Sequence, residues 1–176
     1  ADQTVLIYAA RNNSNPEVIS TLIEAGGDVN ATDESGATVL HLAAWSNKNP
    51  EVISVLIKAG ADVNARVKDN ADQTVLIYAA RNNSNPEVIS TLIEAGADVN
   101  ATDESGATTL HQAAWSNKNP EVISVLIKAG ADVNARAKDD GETPLIYAAW
   151  NNSNPEVIST LIEAGADVNA TDESGA

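Results

Sequence analysis

Two kinds of apolar run alternate along this chain, and each has the spacing of a short helix. In the first, Thr4-Val5-Leu6-Ile7-Tyr8-Ala9-Ala10-Arg11, a threonine stands at the expected N-cap and an alanine pair favours helix while permitting close approach of a neighbour. In the second, Pro16-Glu17-Val18-Ile19-Ser20-Thr21-Leu22-Ile23-Glu24-Ala25, the apolar residues fall at i, i+1, i+4 and i+5 and make one broad face. Between them the polar run Asn12-Asn13-Ser14-Asn15 can turn, with Asn15 as N-cap and Pro16 at the first helical position. Gly26 stops the second helix. From Gly27 through the turn Asp33-Glu34-Ser35-Gly36 the chain reads as an extended arm leading to Thr38, where the cycle restarts.

The cycle is an internal repeat. Residues 71–140 match residues 1–70 at all but five positions: Gly27/Ala97, Val39/Thr109, Leu42/Gln112, Val67/Ala137 and Asn70/Asp140. Within that long repeat the threonines Thr4, Thr38, Thr74, Thr108 and Thr143 recur every 34, 36, 34 and 35 residues. Periods of this size belong to solenoids, in which each unit buries its apolar face only against its neighbours. The expected fold is an all-α repeat solenoid: a single array of five helix-turn-helix units, near 1–34, 35–70, 71–104, 105–139 and 140–176, joined by extended β-turn arms.

Three motifs carry a resemblance. Gly96-Ala97-Asp98-Val99-Asn100-Ala101 and Gly130-Ala131-Asp132-Val133-Asn134-Ala135, the turn Asp33-x-x-Gly36, and Thr108-Thr109-Leu110-His111-Gln112-Ala113-Ala114 resemble the ankyrin repeat. The resemblance covers the whole chain and implies two antiparallel helices per unit, with a concave groove where protein partners bind. Departures are visible too. Proline at the start of the first helix survives only as Pro144, and the histidine only as His41 and His111, with Ile7, Ile77 and Ile146 elsewhere, so the first helix should start more loosely. The segment from Arg11 to Pro16 is one residue longer than the family's, which suggests a longer, Asn-rich loop between helices. The arms also differ in length, those after Asn64 and Asn134 being longer than that after Asn30.

Composition narrows the function. A formal charge of -15 repels phosphate backbones and anionic lipid, so nucleic acid is not an expected partner. No apolar stretch approaches the roughly 18 residues that would argue for membrane insertion. Absence of Cys removes disulfides and thiolate chemistry, and no phosphate loop, zinc-protease motif or singled-out carboxylate pair appears. His41 and His111 lack a nucleophile–base–orienter set; the resemblance makes each a bridge to its start-of-helix threonine. The run Asp28-x-Asn30-x-Thr32-Asp33 lacks the register of a calcium loop, and the N-x-S/T sequons come with the repeat. The chain is therefore expected to be non-enzymatic, without cofactor or metal.

Two further patterns alternate from unit to unit. One second-helix position holds Glu24, Lys58, Glu94, Lys128 and Glu163, which should set opposite charges across each neighbouring pair. The position after the alanine pair holds Arg11, Trp45, Arg81, Trp115 and Trp150, including every tryptophan of the chain. The resemblance points this row toward the concave groove, together with Tyr8, Tyr78, Gln112 and Tyr147. Trp and Arg are the side chains most enriched in interface hot spots. The alternative role for this row is structural, each Trp stacking on a neighbouring Arg.

Three functions stay open: a scaffold capturing a protein partner, an array stacking on copies of itself into a filament or stalk, and an engineered repeat protein. The first and last units carry ordinary internal apolar residues, such as Leu6 and Ile19 or Leu145 and Leu161, in place of polar capping faces. That points to flanking repeats outside the sequence or to end-to-end association.

Overall fold

The computed structural model describes residues 4–67 and 71–173. Within them the chain forms consecutive helix pairs: α1 (Val5–Asn12) with α2 (Pro16–Glu24), α3 (Val39–Ser46) with α4 (Pro50–Lys58), α5 (Val75–Asn82) with α6 (Pro86–Glu94), α7 (Thr109–Ser116) with α8 (Pro120–Lys128), and α9 (Pro144–Asn151) with α10 (Pro155–Glu163). Helices of eight or nine residues are too short to persist alone in water, so packing must hold them. The packing runs in two rows. First helices lie against first helices, α1 on α3 through to α9, and second helices against second helices, with the first-helix row the tighter. Leu40, Leu76 and Leu110 of the first row and Ile53, Leu56, Ile89, Leu92, Ile123 and Leu126 of the second are almost fully buried between successive pairs.

Every helix start is capped as the sequence suggests. Thr4, Thr38, Thr74, Thr108 and Thr143 accept the N–H three residues on, while Asn15, Asn49, Asn85, Asn119 and Asn154 accept the N–H of the glutamate two residues on, across a proline at the first turn. At the other end Gly96 takes φ 95°, which lets the Ala97 N–H turn back to the Leu92 carbonyl at 3.0 Å.

The expected longer loop is not there. The first helix continues through Asn12, leaving only Asn13–Asn15 as a link, and the same holds in the other pairs. These asparagines face the preceding pair. Asn83 Nδ2 donates to the Ala44 and Asn47 carbonyls at 2.9 and 2.8 Å, and Asn47, Asn117 and Asn152 repeat the contact at their own junctions. Asn85 Nδ2 donates to the Lys48 carbonyl at 2.7 Å while its Oδ1 caps α6. The last-turn carbonyls of Arg11, Trp45, Arg81 and Trp115 are met by Ser46, Asn82, Ser116 and Asn151. Orphan carbonyls at the ends of α1, α3, α5 and α7 are thus satisfied by the next pair.

At the opposite end of the pairs the arms form tips. β1 (Arg66–Val67) pairs antiparallel with β2 (Gln73–Thr74), and single bridges join Thr32 to Thr38 and Thr102 to Thr108. Asp72 adopts φ 46°, where Gly141 stands in the corresponding later tip, and Arg66 grips it through both its carboxylate and its carbonyl. The alternating charges of the second helices do not close into ion pairs: none within 4.0 Å joins Glu24, Lys58, Glu94, Lys128 or Glu163. Exposed pairs gain little Coulomb energy against lost side-chain freedom. Among the described residues no helix is long and apolar enough to cross a membrane.

Candidate binding row along the first helices

The histidines sit at the base of this row and are fully buried. His41 Nδ1 receives the Thr38 hydroxyl at 2.8 Å and the Thr38 N–H at 3.3 Å, while Nε2–H points to the Gln73 carbonyl of the next pair at 3.4 Å. His111 does the same with Thr108 and the Glu142 carbonyl, the latter at 2.9 Å. These partners assign the neutral Nε2–H tautomer. Burial lowers the His41 pKa to about 4, against weaker opposing hydrogen bonds from Gln73 and Ala65 and nearby Asp33 and Asp62. His111 is lowered by the same cause. With both ring nitrogens engaged, each histidine links its threonine cap to the following pair, and neither is presented to a substrate.

Aromatic residues stack outward from these rings. Tyr78 meets the His41 edge at 5.0 Å and Trp45 at 5.6 Å; Tyr147 meets His111 at 4.9 Å and Trp115 at 5.9 Å. Trp115 and Trp150 lie 6.4 Å apart and tilted. Each Trp of α3 and α7 therefore packs on the next pair's tyrosine, where the sequence suggested an arginine. Edge-to-face geometry of this kind is favoured by the ring quadrupoles.

Eight of the nine row residues gather around two concavities. Arg11, Trp45, Tyr78 and Arg81 line one of about 330 Å³ together with Leu42, Ala71 and Gln73. Gln112, Trp115, Tyr147 and Trp150 line another of about 270 Å³ together with Asp140 and Glu142. Tyr8 stands apart and 59% exposed, because no pair precedes it among the described residues to supply the His and Trp that cover Tyr78 and Tyr147. Trp150 is 72% exposed for the corresponding reason at the last pair.

Polar groups fix the walls. Arg81 Nη1 donates to Gln73 Oε1 at 3.2 Å, Gln112 Nε2 to Asp103 Oδ2 at 2.7 Å, and the Tyr147 hydroxyl to Asp140 Oδ2 at 3.2 Å. Burial first, then the adjacent Asp140 carboxylate, raises the Tyr147 pKa. Burial, followed by Asp140 and Asp172, raises that of Glu142. Gln73, Asp140 and Glu142 escaped the sequence reading because they belong to the tips. Their only signal was that the tips differ in length and composition where the helices scarcely differ. A larger, polar concavity of about 590 Å³ opens at the loop end among Ser84, Asn117, Lys118, Asn119 and Glu156, where the asparagines already satisfy the backbone.

A family model described as Ankyrin repeats (3 copies) matches residues 1–67 and 76–172, and one described as Ankyrin repeats (many copies) matches residues 46–93. The chain belongs to the ankyrin-repeat family, whose repeats are generally protein–protein interaction modules. No curated protein matches the sequence.

Proposed function

We propose that this chain is a non-enzymatic scaffold that captures a protein partner along its first-helix row, through Arg11, Trp45, Tyr78, Arg81, Gln112, Trp115, Tyr147 and Trp150. One observation carries the reading: the side chains most suited to hot spots converge on two open concavities, while the hydrogen bonds that join the pairs are made largely in loops and tips. Aromatic and guanidinium groups bury large area at modest entropic cost. A photo-cross-linker placed at Leu42 or Gln112 is expected to trap the partner, and one placed at Glu24 or Lys128 of the second-helix row is not. Adducts confined to the second-helix positions would overturn the reading.

A second reading is stacking on copies of itself. Val5 and Tyr8 at the first pair and Trp150, Ile162 and Val168 at the last are exposed where equivalent residues inside the stack are covered. Sedimentation decides it: association that rises with concentration and is lost on Val5→Glu with Ile162→Glu supports stacking, and a monomer at high concentration rejects it.

A further inference from the structure

Six of the seven residues lining the first concavity have an equivalent in the second, Arg11 being the one without, and the two differ in charge. Aligning Thr74 with Thr143 sets Ala71, Gln73, Tyr78 and Arg81 against Asp140, Glu142, Tyr147 and Trp150, while Leu42 and Trp45 match Gln112 and Trp115. Around the first, Arg11 of α1 and Arg81 of α5 are the charged lining residues, with Trp45 of α3 between them in the row. Neither guanidinium has a carboxylate within 4.0 Å among the described residues. The Nε–H of each is buried without an acceptor, and Arg81 engages a single neutral oxygen, that of Gln73. A buried donor left unmade is costly, so a side chain that drew these guanidinium groups into pairing would relieve that cost.

We propose that the first concavity is a carboxylate-reading pocket, which holds an Asp or Glu side chain of an extended protein segment between Arg11 and Arg81 and seats an adjoining apolar side chain against Leu42, Trp45 and Tyr78. The proposal rests on the first-helix row being the binding surface and names the chemistry it selects. Guanidinium presents two parallel N–H donors to a carboxylate, which gives the contact direction as well as charge. The chain's charge of -15 opposes an acidic ligand at long range, but salt at physiological strength screens that field beyond roughly 8 Å and leaves the contact pair. The second concavity makes the contrast. There two carboxylates, Asp140 and Glu142, replace Ala71 and Gln73, and a tryptophan replaces Arg81, so the same ligand is refused.

The test uses the full chain and a fluorescein-labelled peptide, Gly-Ser-Leu-Glu-Tyr-Glu-Leu-Ser, with a twin in which glutamine replaces glutamate. Fluorescence anisotropy is expected to show one peptide per chain, with the glutamine twin at least tenfold weaker. Arg11→Gln with Arg81→Gln should erase that preference while thermal unfolding confirms the fold. Equal affinity for the twins, a glutamate preference that survives loss of both arginines, more than one peptide per chain, or no binding at millimolar peptide would each overturn the pocket. Cross-linking at Leu42 or Gln112 separates the two failures. A partner trapped there alongside indifferent peptides removes the carboxylate selectivity and leaves the binding row standing; no adduct at either position removes both.

Discussion

The loop end and the tip end of the stack are held together by different rules. At the loop end every junction is bridged by the same donors, a Ser or Asn, then two Asn, reaching back to the preceding pair's carbonyls. At the tip end the asparagine contacts recur, Asn64 donating to the Gly96 carbonyl and accepting the Asp98 N–H as Asn100 does with Gly130 and Asp132, but other links are present at some junctions and absent from others. A histidine link joins the second pair to the third and the fourth to the fifth, and is replaced by isoleucine packing elsewhere. The lesson is a division of labour. Constancy at the loops keeps the pairs in register, so the tips and first-helix row can vary and build concavities of opposite charge from one template.

Acid should break the tip end first. The unfolded chain takes up protons near pH 6.5, whereas folded His41 holds off until about pH 4. Stability contributed by this group is therefore complete above about pH 6.5, is lost as pH falls toward about 4, and changes no further below that. The loss is on the order of 3 kcal/mol for His41, and His111 adds to it in the same direction. Glu142, with its pKa raised, works oppositely: its contribution is present at low pH and is lost as pH rises. Denaturant unfolding at pH 7 and pH 4 reads the net effect. Replacing His41 and His111 by the isoleucine of the other pairs should flatten the dependence; an unchanged slope would mean the histidines do not set it.

The loop end should answer to a single residue. Asn83→Ala removes two donated bonds and strands the Ala44 and Asn47 carbonyls, at a cost of about 3 kcal/mol. Asn13→Ala is the control. Its side chain accepts only the local Asn15 N–H, so it should cost about 1 kcal/mol or less. Equal losses at the two positions would show that the asparagine acts within its own loop and not between pairs.

A smaller change should strengthen the row. Thr109 has a fully buried hydroxyl without a partner, whereas Val39 and Val75 occupy the same place in the two preceding pairs. Thr109→Val should stabilise by about 1 kcal/mol, readable as a higher unfolding midpoint. Smallest of all is the second-helix charge ladder: Lys58→Glu with Lys128→Glu should shift stability by about 0.5 kcal/mol or less, since these charges are exposed and make no close ion pair. A larger loss at low salt would restore the ladder as a register device.

The period, the helices, their caps and the family were legible in the sequence, because each depends on residues within a few positions of one another or on their recurrence. Thr38 caps α3, Pro50 starts α4 and Gly60 ends the turn after it for reasons readable in any one unit. The first-helix row was also legible as a set, since equivalent positions of a solenoid must line up. The contacts between units were not legible there. Asn47 looks like one more turn residue until its side chain is found on the carbonyls of Ala10 and Asn13, more than thirty residues back. Gln73 and Glu142 look like tip residues until stacking brings them beside Trp45 and Trp115. Hydrogen-bond partners and pocket walls are set by the stacking of one pair on the next, and the spacing of residues along a single strand of sequence carries no distance for that step.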